Sequence, residues 1–414
     1  MRVSALGAPL VWLLAGCTGA SEPKLTPDAR SHGPDTGEVD EGLSDEAVLR
    51  AAIAGDLDPT EALQTIASRG GLPIESATGS YLFACVCGDG DWSLAGDFDE
   101  WAGQPMSRMG TLSWVELTIA EPYESAYKFT DGSIWMADPS ARRYAYDEYG
   151  EKSLVRALEP HLERGFVAEA HGLDARALRI FVPRDGFFTH MVVAHDGQNL
   201  FDPAAFHGGW RLDATARELP VLIVGIDNTA ARIDEYTPFE DILDGQTMGG
   251  SLPAYAALVA DVRSAMEDRY GLANRTALLG SSLGGLASFA IADLQPGAWD
   301  AALSLSGTMG WGSIGQNGRT ILDVYAEAGR RDVALYLDSG GGGSCVDADG
   351  DGLQDDAPDG ADNYCENRQF ADQLAESGYE WSVDLWHWHE PNAPHTEAAW
   401  ADRVHRPLDA FMSL

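Results

Sequence analysis

The sequence predicts an α/β protein: a doubly wound, mostly parallel sheet over residues 153–414, preceded by a small all-β sandwich over 78–152. Three observations carry this. From about Lys152 onward, apolar strand-length runs alternate with helical stretches, the pattern of a parallel sheet covered on both faces. Between about Tyr81 and Tyr149 the chain instead holds short strand-like runs separated by Gly and Asp. With 414 residues, 45% of them hydrophobic, the chain is long enough for two cores.

The first 16 residues hold one positive charge, Arg2, and a short apolar run, Ala8–Ala15. The run falls short of the roughly 20 residues a bilayer span needs, so it reads as a secretory signal. It ends in Leu14-Ala15-Gly16-Cys17, which resembles a bacterial lipobox and implies cleavage before Cys17 and lipidation of that thiol. Residues 17–42 are polar and rich in Pro, Gly and Asp, the composition of a disordered tether. Anchor and tether together imply a protein of the bacterial cell envelope, lipid-anchored or secreted. An oxidising compartment favours disulfides among Cys85, Cys87, Cys345 and Cys365. Cys85 and Cys87 sit at i and i+2 of a strand, a geometry ill-suited to a mutual disulfide, which leaves free thiols or pairing to another chain.

Residues 43–77 form a short helical segment. Val48, Leu49, Ile53, Leu57, Leu63 and Ile66 recur at helical spacing, and Asp58-Pro59 should split the run in two. Strands of the sandwich are expected in YLFACVC (81–87), SWVELTIA (113–120), SAYKFTD (125–131) and SIWMAD (133–138). In the second half, strands are expected at Leu178–Val182, His190–Ala194, Val221–Gly225, Ala277–Leu279, Ala301–Leu305, Val333–Leu337 and Trp381–Trp386. Helices are expected at Leu252–Tyr270, Leu283–Leu294, Arg319–Ala328, Glu366–Ser377 and Glu397–Met412.

Lys and Arg number 27 against 65 Asp and Glu, a formal charge of −38. Such a chain repels phosphate backbones and anionic lipid, so nucleic acid is excluded as a partner and membrane contact is expected through the lipid anchor alone.

Gly280-Ser281-Ser282-Leu283-Gly284 is a G-x-S-x-G motif with an apolar strand before it and a helix-forming run after it. That is the setting of a nucleophile elbow, whose sharp turn tolerates no side-chain bulk two residues either side of the serine. Gly285 lets the helix approach the sheet. In this chain order the acid and then the base follow the nucleophile. Of His387, His389, His395 and His405, His395 is preferred, because it follows the loop Pro391–Pro394 and opens the last helix. His195 precedes the serine and reads as structural or substrate-facing. The acid should follow Val333–Leu337. Asp362, just before a helix, is favoured over Asp338, which ends the strand directly. The backbone N–H groups of Leu283 and Gln198 are the expected oxyanion hole.

Asp347-x-Asp349-x-Asp351-Gly352-Leu353-x-Asp355 spaces oxygen ligands as a calcium loop does, with the Leu353 carbonyl among them and Gly352 at the sharp turn. Position 12 is Pro358, so the bidentate Glu of an EF-hand is missing. The segment resembles the calcium loops of thrombospondin type-3 repeats, which implies Asp356 or Asp359 as extra ligands. Cys345 and Cys365 bracket it and are expected to pair. The calcium would be structural, and no cofactor is expected for catalysis.

Several segments together resemble the enterochelin esterase-like branch of the esterase D family, which includes feruloyl esterases, S-formylglutathione hydrolases and mycolyltransferases. They are HDGQNLFD (195–202), GGW (208–210), VGIDN (224–228), EYTP (235–238), LGSSLGGLASF (279–289), DNY (362–364) and HTEAAWADR (395–403). The resemblance implies an α/β-hydrolase fold, a triad of Ser282, His395 and Asp362, and a second oxyanion amide at Gln198. It also implies a structural role for Arg232, Glu235 and Tyr236. The Asp-rich insertion before Asp362 and Ala393-Pro394 before the histidine depart from the pattern. The first domain is similar to the immunoglobulin-like sandwich found before such esterases and in glycogen-processing enzymes, through AGDFDEW (95–101), Met106, Trp114, Tyr127-Lys128-Phe129 and Asp138-Pro139. Trp101, Trp114 and Trp135 are then either sugar-stacking residues or sandwich core.

The expected function is a serine carboxylesterase acting on a small-molecule or glycan-linked ester. The alternatives are an acyltransferase on the same triad and a non-catalytic carbohydrate-binding lipoprotein.

Overall fold

The computed structural model describes residues 42–316, 318–357 and 361–414. The signal segment 1–16, the lipidation candidate Cys17, the tether up to Glu41 and the calcium-ligand candidate Asp359 lie outside the described residues.

The described chain forms two compact units, and the first comprises residues 42–166 with 180–186. It opens with helices α1 (Asp45–Ala54) and α2 (Pro59–Arg69). The Ser44 hydroxyl accepts the Ala47 N–H at the start of α1, and Gly55, at φ 87°, ends it. Asp58 caps α2 by accepting the N–H groups of Thr60 and Glu61 at 2.9 and 3.1 Å, with Pro59 in the first turn, where a missing N–H costs nothing.

The strands of this unit form two antiparallel sheets. The first runs β1 (Ile74–Glu75), β2 (Tyr81–Cys85), β6 (Leu112–Leu117), β5 (Ser107–Met109). The second runs β11 (His161–Val167), β9 (Arg143–Asp147), β10 (Gly150–Leu154), β7 (Ala126–Thr130), β3 (Ser93–Gly96), β4 (Gln104–Pro105), with β8 (Trp135–Met136) paired to β7. Strand β2 is covered on both faces. Leu82 and Ala84 pack with Val48, Leu49, Leu63 and Ile66 of the two helices. Tyr81, Phe83 and Cys85 pack with Trp92, Leu94, Tyr127 and Phe129. That is why the strand reads as an unbroken apolar run, and why the helices are part of this unit's core.

Cys85 and Cys87 form a disulfide, contrary to expectation. Strand β2 ends at Cys85, and the chain beyond it leaves the extended path. The two Cα atoms therefore lie 5.2 Å apart, inside the range of roughly 4.4–6.8 Å that a disulfide spans. Cys345 and Cys365 also pair, as expected, with Cα atoms 5.0 Å apart.

The second unit comprises residues 167–179 and 187–414. Its sheet has the order β20 (Leu385–His389), β19 (Ala334–Ser339), β18 (Ala301–Leu305), β17 (Arg275–Ser281), β13 (His190–His195), β14 (Val221–Ile226), β12 (Arg176–Val182). From β20 to β14 every neighbouring pair is parallel. The connections carry helices α3 (Leu212–Ala216), α4 (Arg232–Tyr236), α5 (Leu252–Tyr270), α6 (Leu283–Leu294), α7 (Ile321–Ala328) and α8 (Tyr364–Glu376). A hairpin, β15 (Glu240–Leu243) with β16 (Gln246–Gly249), stands apart from the sheet.

Two elements differ from expectation. The last strand begins at Leu385, not Trp381, because Glu380 and Asp384 close a turn first. The Glu380 carbonyl accepts the N–H groups of Val383, Asp384 and Leu385, and the Asp384 carboxylate accepts the Glu380 N–H at 2.6 Å. The last helix divides into α9 (Glu397–Arg403) and α10 (His405–Met412). Pro407 has no N–H for the Arg403 carbonyl, and its ring crowds that oxygen.

Candidate active site

Strand β17 delivers Ser282 to the turn before α6, at φ 54° and ψ −124°. Few non-glycine residues hold this conformation, and it persists only where the surroundings enforce it. Here the Ser282 N–H bonds the Leu305 carbonyl at 3.0 Å, and the Ser282 carbonyl accepts the Thr308 N–H at 3.1 Å. A Cβ on Gly280 would lie 2.3 Å from the Gly284 carbonyl carbon, and one on Gly285 2.3 Å from the Ser304 hydroxyl. The turn therefore has room for glycine only. Gly280→Ala is expected to cost about 3 kcal/mol or more of stability, read as a lower urea midpoint. An unchanged midpoint would mean that the turn can open without penalty.

His395 lies in the loop before α9. Its Nδ1 bonds the Asp362 carboxylate at 2.6 Å, and its ring stands edge-on to Trp400 with centroids 4.9 Å apart. The buried Asp362 carboxylate also accepts the Ser306 hydroxyl at 2.7 Å, the Gly340 N–H, and Arg403 Nη2 at 3.1 Å. Burial opposes its charge, but His395, Arg403 and Ser306 together hold its pKa below the usual carboxylate value. Asp338, the other acid candidate, sits behind it, bonded to Arg403 Nε at 3.0 Å and to the Tyr336 hydroxyl at 3.3 Å. Burial pushes Asp338 up to about 7 despite Arg403. The Ser282 hydroxyl shares a hydrogen bond of 3.4 Å with Thr308 Oγ1, and it makes none to His395.

The turn after β13 holds the other expected oxyanion amide. Asp196 takes a left-handed φ of 58°, and its carboxylate accepts two bonds from Arg232, at 2.7 and 2.8 Å, and one from Asn228 at 2.6 Å. The Asp196 N–H bonds the Tyr236 hydroxyl, and Glu235 pairs with Arg176 at 2.8 and 3.0 Å. Arg232 and Tyr236 thus brace the turn directly, while Glu235 on the same helix is held by Arg176 and Thr229. A Cβ on Gly197 would lie 2.7 Å from both Asp227 Oδ1 and the Gly225 carbonyl carbon, so only glycine fits the approach to β14. Neither the Gln198 nor the Leu283 backbone N–H has an acceptor among the described residues.

The remaining histidines are placed elsewhere. His195 is fully buried against the Tyr255 hydroxyl, at 2.9 Å, and burial holds its pKa down to about 4. Burial likewise lowers His387 to about 4. His389 stacks on Tyr364 with centroids 3.7 Å apart. His405 is exposed at the start of α10.

Arg403, Trp400 and Ser306 also meet at Asp362, and the sequence pattern assigns them no role. Trp400 Nε1 bonds the Ser306 hydroxyl at 3.0 Å, so one serine joins α9 to Asp362. The i, i+3 spacing of Trp400 and Arg403 on the helix after His395 was the available signal.

In the acidic loop, carboxylate oxygens of Asp347, Asp349 and Asp355 lie within 4.8 Å of one another. Asp351 is turned away, accepting the Ser313 hydroxyl at 3.0 Å and the Leu353 N–H at 2.8 Å. Asp356 does not join the cluster either. Its carboxylate takes the N–H groups of Asp362, Tyr364 and Cys365. In the first unit Trp114 packs against the helix-side core, whereas the Trp101 and Trp135 rings lie 6.0 Å apart and Trp135 is half exposed.

Residues 175–408 match the family profile described as "Putative esterase". No curated protein matches the chain. Among solved structures the chain is similar to an IroE-like serine hydrolase from Shewanella oneidensis, at 17% identity and a TM-score of 0.47, covering 61% of this chain and 79% of that one. It is also similar to the enterobactin esterase FES from Shigella flexneri, at 15% identity and a TM-score of 0.46, covering 81% and 93%. The siderophore hydrolase EstA from Aspergillus nidulans matches at 17% identity and a TM-score of 0.45, covering 61% and 95%.

Proposed function

Because the chain belongs to the Esterase family and is a carboxylic ester hydrolase, we propose that it is a serine carboxylesterase working through an acyl-enzyme on Ser282. The observation that supports this reading most is the 2.6 Å bond between His395 Nδ1 and the buried Asp362 carboxylate, in the unit that also holds the Ser282 elbow. As an ester binds, the Ser282 hydroxyl leaves Thr308 and turns to His395 Nε2. Its oxygen attacks the ester carbonyl carbon while its proton passes to Nε2, and Asp362 steadies the imidazolium that forms. The carbonyl oxygen becomes an oxyanion, for which the Leu283 and Gln198 N–H groups are the donors. Collapse breaks the bond to the alcohol, which takes the proton from His395. Water then repeats the sequence on the acyl-serine and releases the acid. Hydrolysis of p-nitrophenyl acetate and butyrate by the purified chain is the direct test. Absence of turnover on both would overturn the reading.

We also propose that the acidic loop holds a structural calcium ion. Three carboxylates as close as those of Asp347, Asp349 and Asp355 repel one another unless a cation lies among them, and all are hard oxygen donors. Asp351 would join only by leaving Ser313. The ion would order the loop that leads to Asp362 and take no part in the chemistry. Exhaustive chelation should lower the melting temperature and esterase activity together, with calcium restoring both more fully than magnesium. Unchanged values after chelation would contradict it.

A further inference from the structure

We propose that Asp356 is a positioning residue for the catalytic acid, acting through the backbone that carries Asp362; this rests on the triad reading above. The first N–H groups of any helix need acceptors from outside it, commonly the side chain of the residue just before it. Helix α8 lacks that arrangement. Asn363, in the capping position, is left-handed at φ 58° and makes no capping bond. Its amide is spent instead on the Ser306 carbonyl at 2.9 Å and Thr308 Oγ1 at 3.3 Å.

Asp356 supplies the cap from six residues upstream of Asp362. One of its oxygens accepts the Asp362 and Tyr364 N–H groups, both at 3.0 Å, and the other accepts the Cys365 N–H at 2.7 Å. Asp356 is itself held. The Asp355 N–H bonds the Val346 carbonyl at 3.1 Å, and the Ala357 N–H bonds the Gly342 carbonyl at 2.9 Å. A Cβ on Gly343 would lie 3.0 Å from the Asp356 Cα, and the Cys345–Cys365 disulfide ties the Gly343 segment to the start of α8. Residues 342–346, 355–357 and the start of α8 therefore form one clamp. Its output is the position of the Asp362 backbone, from which the carboxylate meets both His395 and Arg403.

A carboxylate suits this place because three donors converge on it. An asparagine has a single acceptor oxygen and would turn an NH2 group toward an N–H. A misplacement of about 1 Å in a catalytic array costs on the order of 10²-fold in rate. Asp356→Asn is therefore expected to lower kcat about 10- to 100-fold with KM within about threefold, measured per folded molecule on p-nitrophenyl butyrate. Asp356→Ser keeps one small acceptor and should recover part of the loss. It also carries the comparison if the asparagine variant does not fold. Asp362→Ala, in the same series, tests the triad by itself. If Asp362→Ala is inactive while Asp356→Asn and Asp356→Ser keep kcat within twofold of the parent, Asp356 is only a helix cap and the inference is overturned, whatever happens to melting temperature. If Asp362→Ala keeps near-native kcat, the triad reading fails and this inference falls with it.

Discussion

Ser282→Ala and His395→Ala should each lower kcat for p-nitrophenyl esters by about 10³-fold or more, and the double variant should be little worse than either alone. The effect is large because nucleophile and base act as one unit: without the base the hydroxyl stays protonated, and without the hydroxyl there is nothing for the base to activate. Neither change should disturb the fold much. The Ser282 hydroxyl makes one hydrogen bond of 3.4 Å, to Thr308, and without His395 the buried Asp362 carboxylate still has Ser306, Gly340 and Arg403 as partners. Residual activity in both variants then reflects the two backbone N–H groups and substrate binding. Near-native turnover in either variant, or losses that multiply in the double variant, would contradict a shared role.

Replacing Arg403 by Met should have the largest effect on stability, about 3–5 kcal/mol. Its guanidinium bonds Asp338 at 3.0 Å and Asp362 at 3.1 Å, and all three groups are buried. Removing the cation leaves two carboxylates out of water with weakened compensation. The sign of the pH dependence follows from Asp338, already pushed up to about 7 by burial. A carboxyl whose folded pKa exceeds its unfolded value of about 3.9 binds more protons when folded, so the stability it supports is lost as pH rises through the folded pKa. The deficit of Arg403→Met should therefore be larger at pH 8 than at pH 5. Denaturant midpoints at the two pH values test this. A deficit that is absent, or greater at pH 5, would mean that the guanidinium does not carry the charge balance of the pair.

The turn that carries Ser282 is legible in the sequence because its requirement is local. The elbow needs glycines at fixed offsets, and the 2.3 Å approach of a Gly280 Cβ to Gly284 gives the physical reason. The sheet was legible for a related reason: strands buried on both faces are unbroken apolar runs, and Ala301–Leu305 and the helix Leu252–Tyr270 fall where the pattern puts them. Choosing between Asp338 and Asp362 depended on a contact across 33 residues, from Asp362 to His395, which periodicity does not encode. Arg403 is not legible in the sequence, because an arginine in a helical run ordinarily marks the solvated face, whereas here it is buried against Asp362. The Cys85–Cys87 bond is hidden in the sequence because the apolar run YLFACVC reads as one strand, whereas the strand ends at Cys85. The acidic loop reads in the sequence as evenly spaced ligands, yet Asp351 lies outside the cluster and bonds Ser313, far away in sequence.

Trapping the acyl-enzyme tests the central claim most directly. The chain is mixed with p-nitrophenyl butyrate, quenched in acid within the first turnovers, digested and analysed by mass spectrometry. The account predicts a butyryl mass increment on the peptide containing Ser282, absent in Ser282→Ala and persisting longer in His395→Ala if that variant acylates at all. An increment on a different residue, or turnover with no acylated peptide at any quench time, would contradict it.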